Sequence, residues 1–218
     1  MSNRLEKPLA TGETYHIFSK SIAGFIIFNN ESEFSRTIAA MKYYKIEKPV
    51  TRFALCANVK NSDIQKNNLD KNGNIIDIIA YCIMPTHIHF VLKQKKDKGI
   101  SIFMNILLNS YTRYFNTKHE RKGPLWESRF QIRLVETDEY ALHLSRYIHL
   151  NPTSAGLVQQ PEDWEFSSYH EYLAAPKSEP LCDFSKIISY KPATYRKFTE
   201  NRKDYQRSLQ IIKGILLD

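Results

Sequence analysis

The fold of this chain is indicated most clearly by IIDIIAYCIMPTHIHFVLKQ, residues 75–94. Two runs rich in β-branched and aromatic residues, 75–83 and 87–94, are separated only by Met84-Pro85-Thr86. Pro85 interrupts the apolar run because proline cannot donate a hydrogen bond within a sheet. So short a connection joins two neighbouring strands only when they run antiparallel. The stretch therefore predicts an antiparallel β-hairpin.

Elements on both sides of the hairpin predict an α+β domain. Residues 14–28 predict a strand, a turn around Gly24 and a short apolar continuation, and residues 125–136 alternate like a further strand. Apolar residues at helical spacing predict three helices, at residues 31–44, residues 100–115 and residues 138 to about 151. We therefore expect an antiparallel sheet with helices packed on it, formed by residues 1–160. Residues 161–218 are expected to form a basic, helical C-terminal extension that packs on this domain.

Two of the predicted helices carry specific start or stop signals. Asn30 is a suitable N-cap for the first helix, and Glu33 completes a capping-box pattern. Thr137 is a suitable N-cap for the third helix. That helix should end near Asn151, because Pro152 disfavours helical geometry at the residue before it.

The composition excludes several classes of protein. With 218 residues, 42% of them hydrophobic, the chain can bury a core without disulfides or a structural metal. No apolar run approaches the roughly 18 residues of a membrane span. The first residues lack the apolar stretch of a secretory signal, and the three cysteines are far apart, so we expect a cytoplasmic protein. The seven glycines are too widely spaced for a nucleotide-binding loop, which argues against ATP-coupled chemistry.

The charge of the chain indicates a polyanionic partner. Its formal net charge is +8, with a pI near 9.3. The excess of lysine and arginine is concentrated in residues 93–98, 113–133 and 186–213. The many aromatic residues could also stack on unpaired bases. Charge alone does not distinguish nucleic-acid binding from a merely solvated basic surface.

His87 and His89 form the first candidate site. On a strand, residues i and i+2 point to the same face about 6.5 Å apart, so both imidazoles would converge while Ile88 and Phe90 are buried. Two converging imidazoles form half of a metal site. The spacing alone slightly favours two partly exposed histidines that bind nothing.

Tyr147 and Asn151 form the second candidate site. They lie one turn apart on the third predicted helix, at the edge of its buried stripe and therefore near the sheet. A tyrosine has a pKa near 10 and needs a nearby cation or base to act as a nucleophile. Taken alone, the pair fits a packed tyrosine and an asparagine that ends a helix. A divalent cation held by His87, His89 and the amide oxygen of Asn151 would bring a phosphate to Tyr147, which suffices to cut a phosphodiester.

Four motifs occur in order along the chain: YCIMPTHIHFVLKQ, SYTRYFNTKHERKGPLWESRF, YALHLSRYIHLNPTSAGLV and WEFSSYHEY. In these motifs the sequence resembles the single-tyrosine HUH transposases, in particular their REP-associated branch. The resemblance covers roughly residues 14–173 and implies a ferredoxin- or RRM-like fold with a central antiparallel sheet. It also implies Mg²⁺ or Mn²⁺ as cofactor and cleavage of single-stranded DNA beside a hairpin. The expected intermediate is a 5′-phosphotyrosine, and members act as monomers or homodimers.

The resemblance implies a role for each candidate residue. By motif, His87, His89 and Asn151 are the metal ligands and Tyr147 is the nucleophile. Thr86 departs from the family pattern, in which Asn or Asp usually precedes the first histidine. Thr153-Ser154 replaces the commoner Val-Arg, which removes a positive charge that could contact DNA.

Other residues of these motifs are candidates for DNA contacts or for competing roles. The residues expected to face DNA are Arg113, Tyr114, Lys122, Trp126 and Arg129. Core packing explains Trp126 equally well. Tyr111 and Tyr114 compete with Tyr147 as nucleophile, but their position on the second helix favours structural roles. His119, His143 and His149 belong to no ligand pattern, and we expect them at the surface.

Two other functions fit parts of this sequence. One is a domesticated protein that binds DNA hairpins without cleaving them, since fold and charge can outlast activity. The other is a metal hydrolase in which Zn²⁺ activates a water, but the chain lacks the further ligands that such enzymes use. The candidate residues His87, His89, Tyr147 and Asn151 together favour the transposase chemistry over both.

Overall fold

The hairpin predicted from residues 75–94 forms half of a four-stranded antiparallel sheet. The computed structural model describes residues 9–47, 53, 73–173, 180–185 and 191–201. Within these ranges the strands are β1 (Thr14–Lys20), β2 (Ile76–Met84), β3 (His87–Gln94) and β4 (Gln131–Val135). Their order across the sheet is β2-β3-β1-β4, so β3 and β1 are the central strands.

α-Helices separate or follow these strands in the described part of the chain. They are α1 (Glu31–Tyr44), α2 (Gly99–Lys118), α3 (Asp138–Ser154), α4 (Tyr169–Leu173) and α5 (Pro192–Glu200). The predicted α+β class, with an antiparallel sheet and a helical C-terminal region, is confirmed. Among the described residues, no helix combines the length and the apolar character that crossing a bilayer requires.

The sheet has two faces, and each is covered by helices. On β1, Tyr15 and Ile17 belong to the core on one face, whereas His16 and Phe18 alternate with them and point to the other. Helices α1 and α2 pack on the first face, and α3 and α5 pack on the second. Because both faces are covered, β2 is buried along its whole length instead of alternating between apolar and polar residues.

The last strand is shorter than predicted. Residues 125–136 alternate like a strand, but β4 comprises only Gln131–Val135. Trp126 pairs with Ser21 through a single bridge, and its Nε1 donates to the carbonyl of Leu108 on α2 (3.3 Å). The apolar residues at the start of this range therefore reflect packing against α2, not pairing in the sheet.

Helix α3 continues past the predicted end at Asn151 and reaches Ser154, with Pro152 inside it. Proline lacks an N–H, so it removes one hydrogen bond of the helix. Helical hydrogen bonding resumes after Pro152, since the N–H of Ala155 donates to the carbonyl of Asn151 (2.9 Å). Both Pro152 and Thr153 are also buried. One missing bond in the last turn is thus offset by packing.

One of the two predicted N-caps is confirmed, and the other is wrong in detail. Thr137 caps α3, because its hydroxyl accepts a hydrogen bond from the N–H of Tyr140 (3.0 Å). The side chain of Asn30 makes no capping bond to α1. The carboxylate of Glu33 instead accepts from the N–H of Asn29 (2.7 Å), one residue earlier than a capping box requires.

The described parts of residues 161–218 contact the α3 side of the sheet. Tyr195 of α5 is buried against α3, where its hydroxyl contacts Ser145 (2.9 Å). Tyr172 of α4 donates a hydrogen bond to the carbonyl of Ile79 on β2 (2.7 Å). The division into a domain of residues 1–160 and an extension of residues 161–218 stays a prediction, because much of the extension lies outside the described residues.

Candidate active site

Strand β3 places His87 and His89 on the face of the sheet that α3 covers. Their ring centroids are 5.1 Å apart and the rings are perpendicular. Ile88 and Phe90, which alternate with them, are buried in the core on the opposite face. The predicted alternation along THIHF is therefore present, and the two imidazoles share one face.

A neighbouring side chain contacts Nδ1 of each imidazole. Oγ1 of Thr86 lies 2.9 Å from Nδ1 of His87. Nε2 of His16, on strand β1, lies 3.2 Å from Nδ1 of His89. A ring that is hydrogen-bonded through Nδ1 binds a metal ion through Nε2, and the bond fixes both the tautomer and the orientation of the ring. The geometry thus assigns Nε2 of His87 and Nε2 of His89 as the nitrogens suited to a metal ion.

The environment of His87 keeps its imidazole neutral. Burial disfavours the charged form, and the positive charge of Lys20 acts in the same direction, so the pKa of His87 falls to about 4. At neutral pH the ring therefore carries no extra proton. A neutral imidazole is the form that binds a metal ion.

Helix α3 brings Tyr147 to His89. The ring centroids of Tyr147 and His89 are 6.0 Å apart, with the rings perpendicular. One turn further on, Nδ2 of the buried Asn151 donates to the carbonyl of Tyr147 (3.1 Å). Burial raises the pKa of Tyr147, and a side-chain hydrogen bond with Asn151 partly offsets this rise. The phenol is therefore protonated at neutral pH.

The donors at this site fit a cation that keeps open coordination positions. Among the residues that the structure describes, no three His, Cys, Asp or Glu side chains are grouped so that they could hold a metal ion. A closed site of the structural zinc type, which needs four such ligands, is therefore not found in that part of the chain. His87 and His89, together with Asn151 one turn beyond Tyr147, are the candidate ligands of such a cation, and substrate oxygens and water would fill its remaining positions.

The residues predicted to face DNA lie in different environments. Arg113, Lys122 and Arg129 are exposed. Tyr114 is half-buried on α2, with the guanidinium of Arg36 4.2 Å from its ring centroid. Trp126 is half-buried and packs against the core on the side of α1 and α2, which supports the packing interpretation of this residue.

The competing tyrosine Tyr111 is part of the core. Its hydroxyl donates to the carbonyl of Ile27 (2.5 Å), and burial raises its pKa well above the usual value. It lies on α2, which packs on the face of the sheet opposite to His87 and His89. This position agrees with the structural role expected for it.

Of the three histidines expected at the surface, two are there and one is not. His143 is exposed, and His119 is exposed and contacts the carboxylate of Glu33 (2.7 Å). His149 is completely buried, so its predicted outward position was wrong. Its Nδ1 contacts the hydroxyl of Tyr195 (2.8 Å), and its Nε2 contacts the hydroxyl of Ser168 (2.7 Å). The C-terminal extension covers a side of α3 that the helical periodicity alone marks as solvent-facing.

The sequence reasoning missed His16. It lies on β1 between Tyr15 and Ile17, and it is buried beside His89, with ring centroids 5.4 Å apart and an angle of 15° between the planes. The signal was the pattern TYHIF, which has a histidine at a position that alternates with core residues, like His87 and His89 in THIHF. Only the pairing of β1 with β3 shows that these two patterns meet.

Residues 59–151 match the family described as Transposase IS200 like. This segment, which contains His87, His89, Tyr147 and Asn151, is similar to the IS200-like transposases. The resemblance predicted from the motifs is confirmed.

Individual proteins show the same similarity. A putative REP-associated tyrosine transposase of Haemophilus influenzae is 31% identical over 110 residues, which cover 45% of this chain and 62% of that protein. The REP-associated tyrosine transposase of Escherichia coli is 27% identical over 106 residues, which cover 48% of this chain and 61% of that protein. The similarity thus spans less than two thirds of the length of either relative.

A solved structure supports the fold. The structure of a REP-associated tyrosine transposase bound to a REP hairpin superposes with a TM-score of 0.54 at 17% identity. The superposition covers 87% of this chain and 95% of that chain. The described sheet and helices therefore have the fold of this transposase.

Proposed function

We propose that the chain is a metal-dependent DNA strand transferase that cleaves and rejoins single-stranded DNA beside hairpins. The observation that carries the proposal is the approach of Tyr147 to the paired histidines, with 6.0 Å between the ring centroids of Tyr147 and His89. The match of residues 59–151 to IS200-like transposases supports the same chemistry. The named relatives are REP-associated, and the solved neighbour binds a REP hairpin, so a DNA hairpin with an unpaired flank is the proposed substrate.

His87, His89 and Asn151 would hold Mg²⁺ or Mn²⁺, which when bound supplies a Lewis acid for the phosphate and favours ionisation of the nearby phenol. Thr86 and His16 orient the two imidazoles through their Nδ1 atoms.

Tyr147 is the proposed nucleophile. Its phenolic oxygen loses a proton and bonds to phosphorus, the bond from phosphorus to the 3′-oxygen breaks, and the 3′-oxygen takes up a proton. The 5′-phosphotyrosine that results keeps the energy of the phosphodiester. Attack by a 3′-hydroxyl can therefore rejoin DNA without ATP, which agrees with the wide spacing of the glycines.

The exposed cations Arg113, Lys122 and Arg129 are proposed to contact DNA phosphates, and the half-buried aromatic residues Tyr114 and Trp126 are proposed to face DNA as well. We further propose that the protein acts in the cytoplasm, as a monomer or a homodimer.

The proposal is tested by looking for a covalent adduct. The protein is mixed with a synthetic DNA hairpin that carries an unpaired flank, in Mn²⁺, and analysed on a denaturing gel. We expect an adduct with the wild type, none with Tyr147→Phe, and none in EDTA. Tyr140→Phe is the matched control, because Tyr140 is an exposed tyrosine on the same helix and should leave the adduct unchanged.

Other outcomes would identify the alternative functions. An adduct that persists in Tyr147→Phe or in EDTA would refute the proposed chemistry. Salt-sensitive binding of the hairpin without any cleavage would identify a non-catalytic hairpin-binding protein. Cleavage that leaves free 5′-phosphates without an adduct would identify a hydrolase that uses water.

A further inference from the structure

We infer that four residues on the α3 side of strands β1 and β4 bind the unpaired DNA strand next to the phosphate that is cleaved. They are Phe18, Lys20, Gln131 and Arg133, and we refer to them as the β1–β4 strip. The inference deepens the proposed function, since it names the surface that positions the substrate beside Tyr147.

The register of the sheet connects the strip to the candidate active site. Phe18 lies directly opposite His89 on one side and opposite Gln131 on the other. Lys20 lies opposite His87, and Arg133 lies opposite His16. Residues directly opposite each other in antiparallel strands point to the same face, with Cβ atoms about 5 Å apart. Each residue of the strip is therefore one or two strands away from a histidine of the site.

The strip is accessible, and its aromatic ring already contacts the site. Lys20, Gln131 and Arg133 are exposed, and Phe18 is half-buried. The ring centroid of Phe18 is 5.3 Å from that of His16 and 5.8 Å from that of His89. A base that stacks on Phe18 would thus lie beside the imidazoles that are proposed to hold the metal ion.

The strip stays open because α3 covers the other half of this face. Helix α3 packs mainly on β2, with fewer contacts to β3 and β4. Val135, near the end of β4, is buried against α3, whereas Gln131 and Arg133 earlier on the strand are exposed. A strand of DNA can therefore approach His87 and His89 over β1 and β4.

The chemistry of the strip fits single-stranded nucleic acid better than an acidic protein. Two cations, Lys20 and Arg133, flank a partly exposed aromatic ring, and none of the four residues is acidic. Cations along a backbone path, combined with rings for the bases, are the features by which proteins bind single strands. An acidic peptide would use the cations but would gain nothing from the position of Phe18.

The test measures binding without the reaction. The Tyr147→Phe protein is kept in EDTA and titrated into a short fluorescein-labelled oligodeoxythymidine at several salt concentrations, with anisotropy as the readout. Lys20→Gln and Arg133→Gln should each lower the slope of log K against log salt concentration by about 0.7. Phe18→Leu should weaken binding about 5- to 150-fold without changing the slope, because stacking is lost but no charge is.

Lys197→Gln is the matched control. Lys197 is an exposed cation on α5, which packs against α3 and α4, so this change removes the same charge outside the strip and should leave the slope unchanged. Circular dichroism of each variant checks that the fold is retained.

Three results would overturn the inference. The first is a reduction of the slope by Lys197→Gln equal to that by Lys20→Gln and Arg133→Gln, which would indicate non-specific attraction. The second is unchanged affinity in Phe18→Leu. The third is displacement of the probe by polyglutamate at an equal concentration of charge. Because binding is measured without metal and without the Tyr147 hydroxyl, the absence of a covalent adduct would refute the proposed function but not this inference.

Discussion

Nε2 of His16 lies 3.2 Å from Nδ1 of His89, and the two rings are nearly parallel. This contact joins neighbouring strands β1 and β3 inside the sheet, and both residues are buried. If a metal ion is bound at Nε2 of His89, the proton of that ring is on Nδ1 and is donated to His16. His16 is then a positioning residue, which acts on the metal site through His89.

Replacing His16 should weaken metal binding if the new side chain cannot accept the hydrogen bond from Nδ1 of His89. His16→Phe keeps a flat ring but removes the acceptor, so we expect about 10- to 100-fold weaker Mn²⁺ binding. His16→Gln keeps an acceptor oxygen and should bind Mn²⁺ nearly as well as the wild type. Isothermal titration calorimetry without DNA measures both affinities. Equal affinities of His16→Phe and the wild type would show that His16 does not orient the metal site.

Replacing Tyr195 should show how much the contact between the C-terminal extension and α3 contributes to the free energy of unfolding. Its buried hydroxyl contacts both Ser145 Oγ (2.9 Å) and His149 Nδ1 (2.8 Å). Tyr195→Phe leaves these two buried groups without that partner, so the free energy of unfolding should fall by about 1–3 kcal/mol. Urea unfolding measures the change, and Tyr140→Phe, at an exposed position, should stay within about 0.5 kcal/mol of the wild type. A Tyr195→Phe protein as stable as the Tyr140→Phe protein would contradict the buried network.

Glu33 should make stability depend on pH in acid. Burial by itself would raise the pKa of Glu33, but hydrogen bonds from Lys118, Asn29 and His119 outweigh it and lower the pKa to about 2. The folded pKa is thus below the unfolded value of about 4.5. The stabilisation is therefore complete above about pH 4.5 and is lost as the pH falls towards 2.

Glu33→Gln removes this contribution. At pH 7 its free energy of unfolding should be about 1–3 kcal/mol lower than that of the wild type, because a buried charged partner of Lys118 is lost. The difference should shrink at pH 3, because this pH lies below the unfolded pKa of about 4.5 and the wild type has lost part of the stabilisation there. Urea unfolding at the two pH values tests this, and a difference that is the same at both would argue against a depressed pKa.

Replacing Tyr111 should lower the stability of the fold without affecting the proposed activity. Its hydroxyl donates to the carbonyl of Ile27, so Tyr111→Phe should lower the free energy of unfolding by about 1 kcal/mol. Because Tyr111 lies on the opposite face of the sheet from His87, the variant should still form the proposed adduct. Chemical unfolding and the denaturing gel measure the two properties. Loss of the adduct in a stably folded Tyr111→Phe protein would reopen the choice of nucleophile.

Much of the fold could be predicted from local pattern. The bounds of α1 and β3 agree with the sequence, because side-chain periodicity reports which residues share a buried face. The predicted strand at residues 125–136 was too long. An apolar residue such as Trp126 indicates that the position is covered, but the sequence does not show whether a strand or a helix covers it. The capping box at the start of α1 was wrong in detail, because the carboxylate of Glu33 binds the N–H of Asn29 and the distant Lys118 of α2.

Two features of the candidate site could be predicted from the sequence: His87 and His89 share one face of a strand, and Tyr147 and Asn151 lie one turn apart on a helix. Both statements follow from the periods of the strand and the helix, which are local. Three relationships could not be predicted from these periods: the contact of His16 with His89, the position of Tyr147 next to His89, and the burial of His149 under the C-terminal extension. These relationships depend on which elements pack together, and packing joins residues that are far apart along the chain.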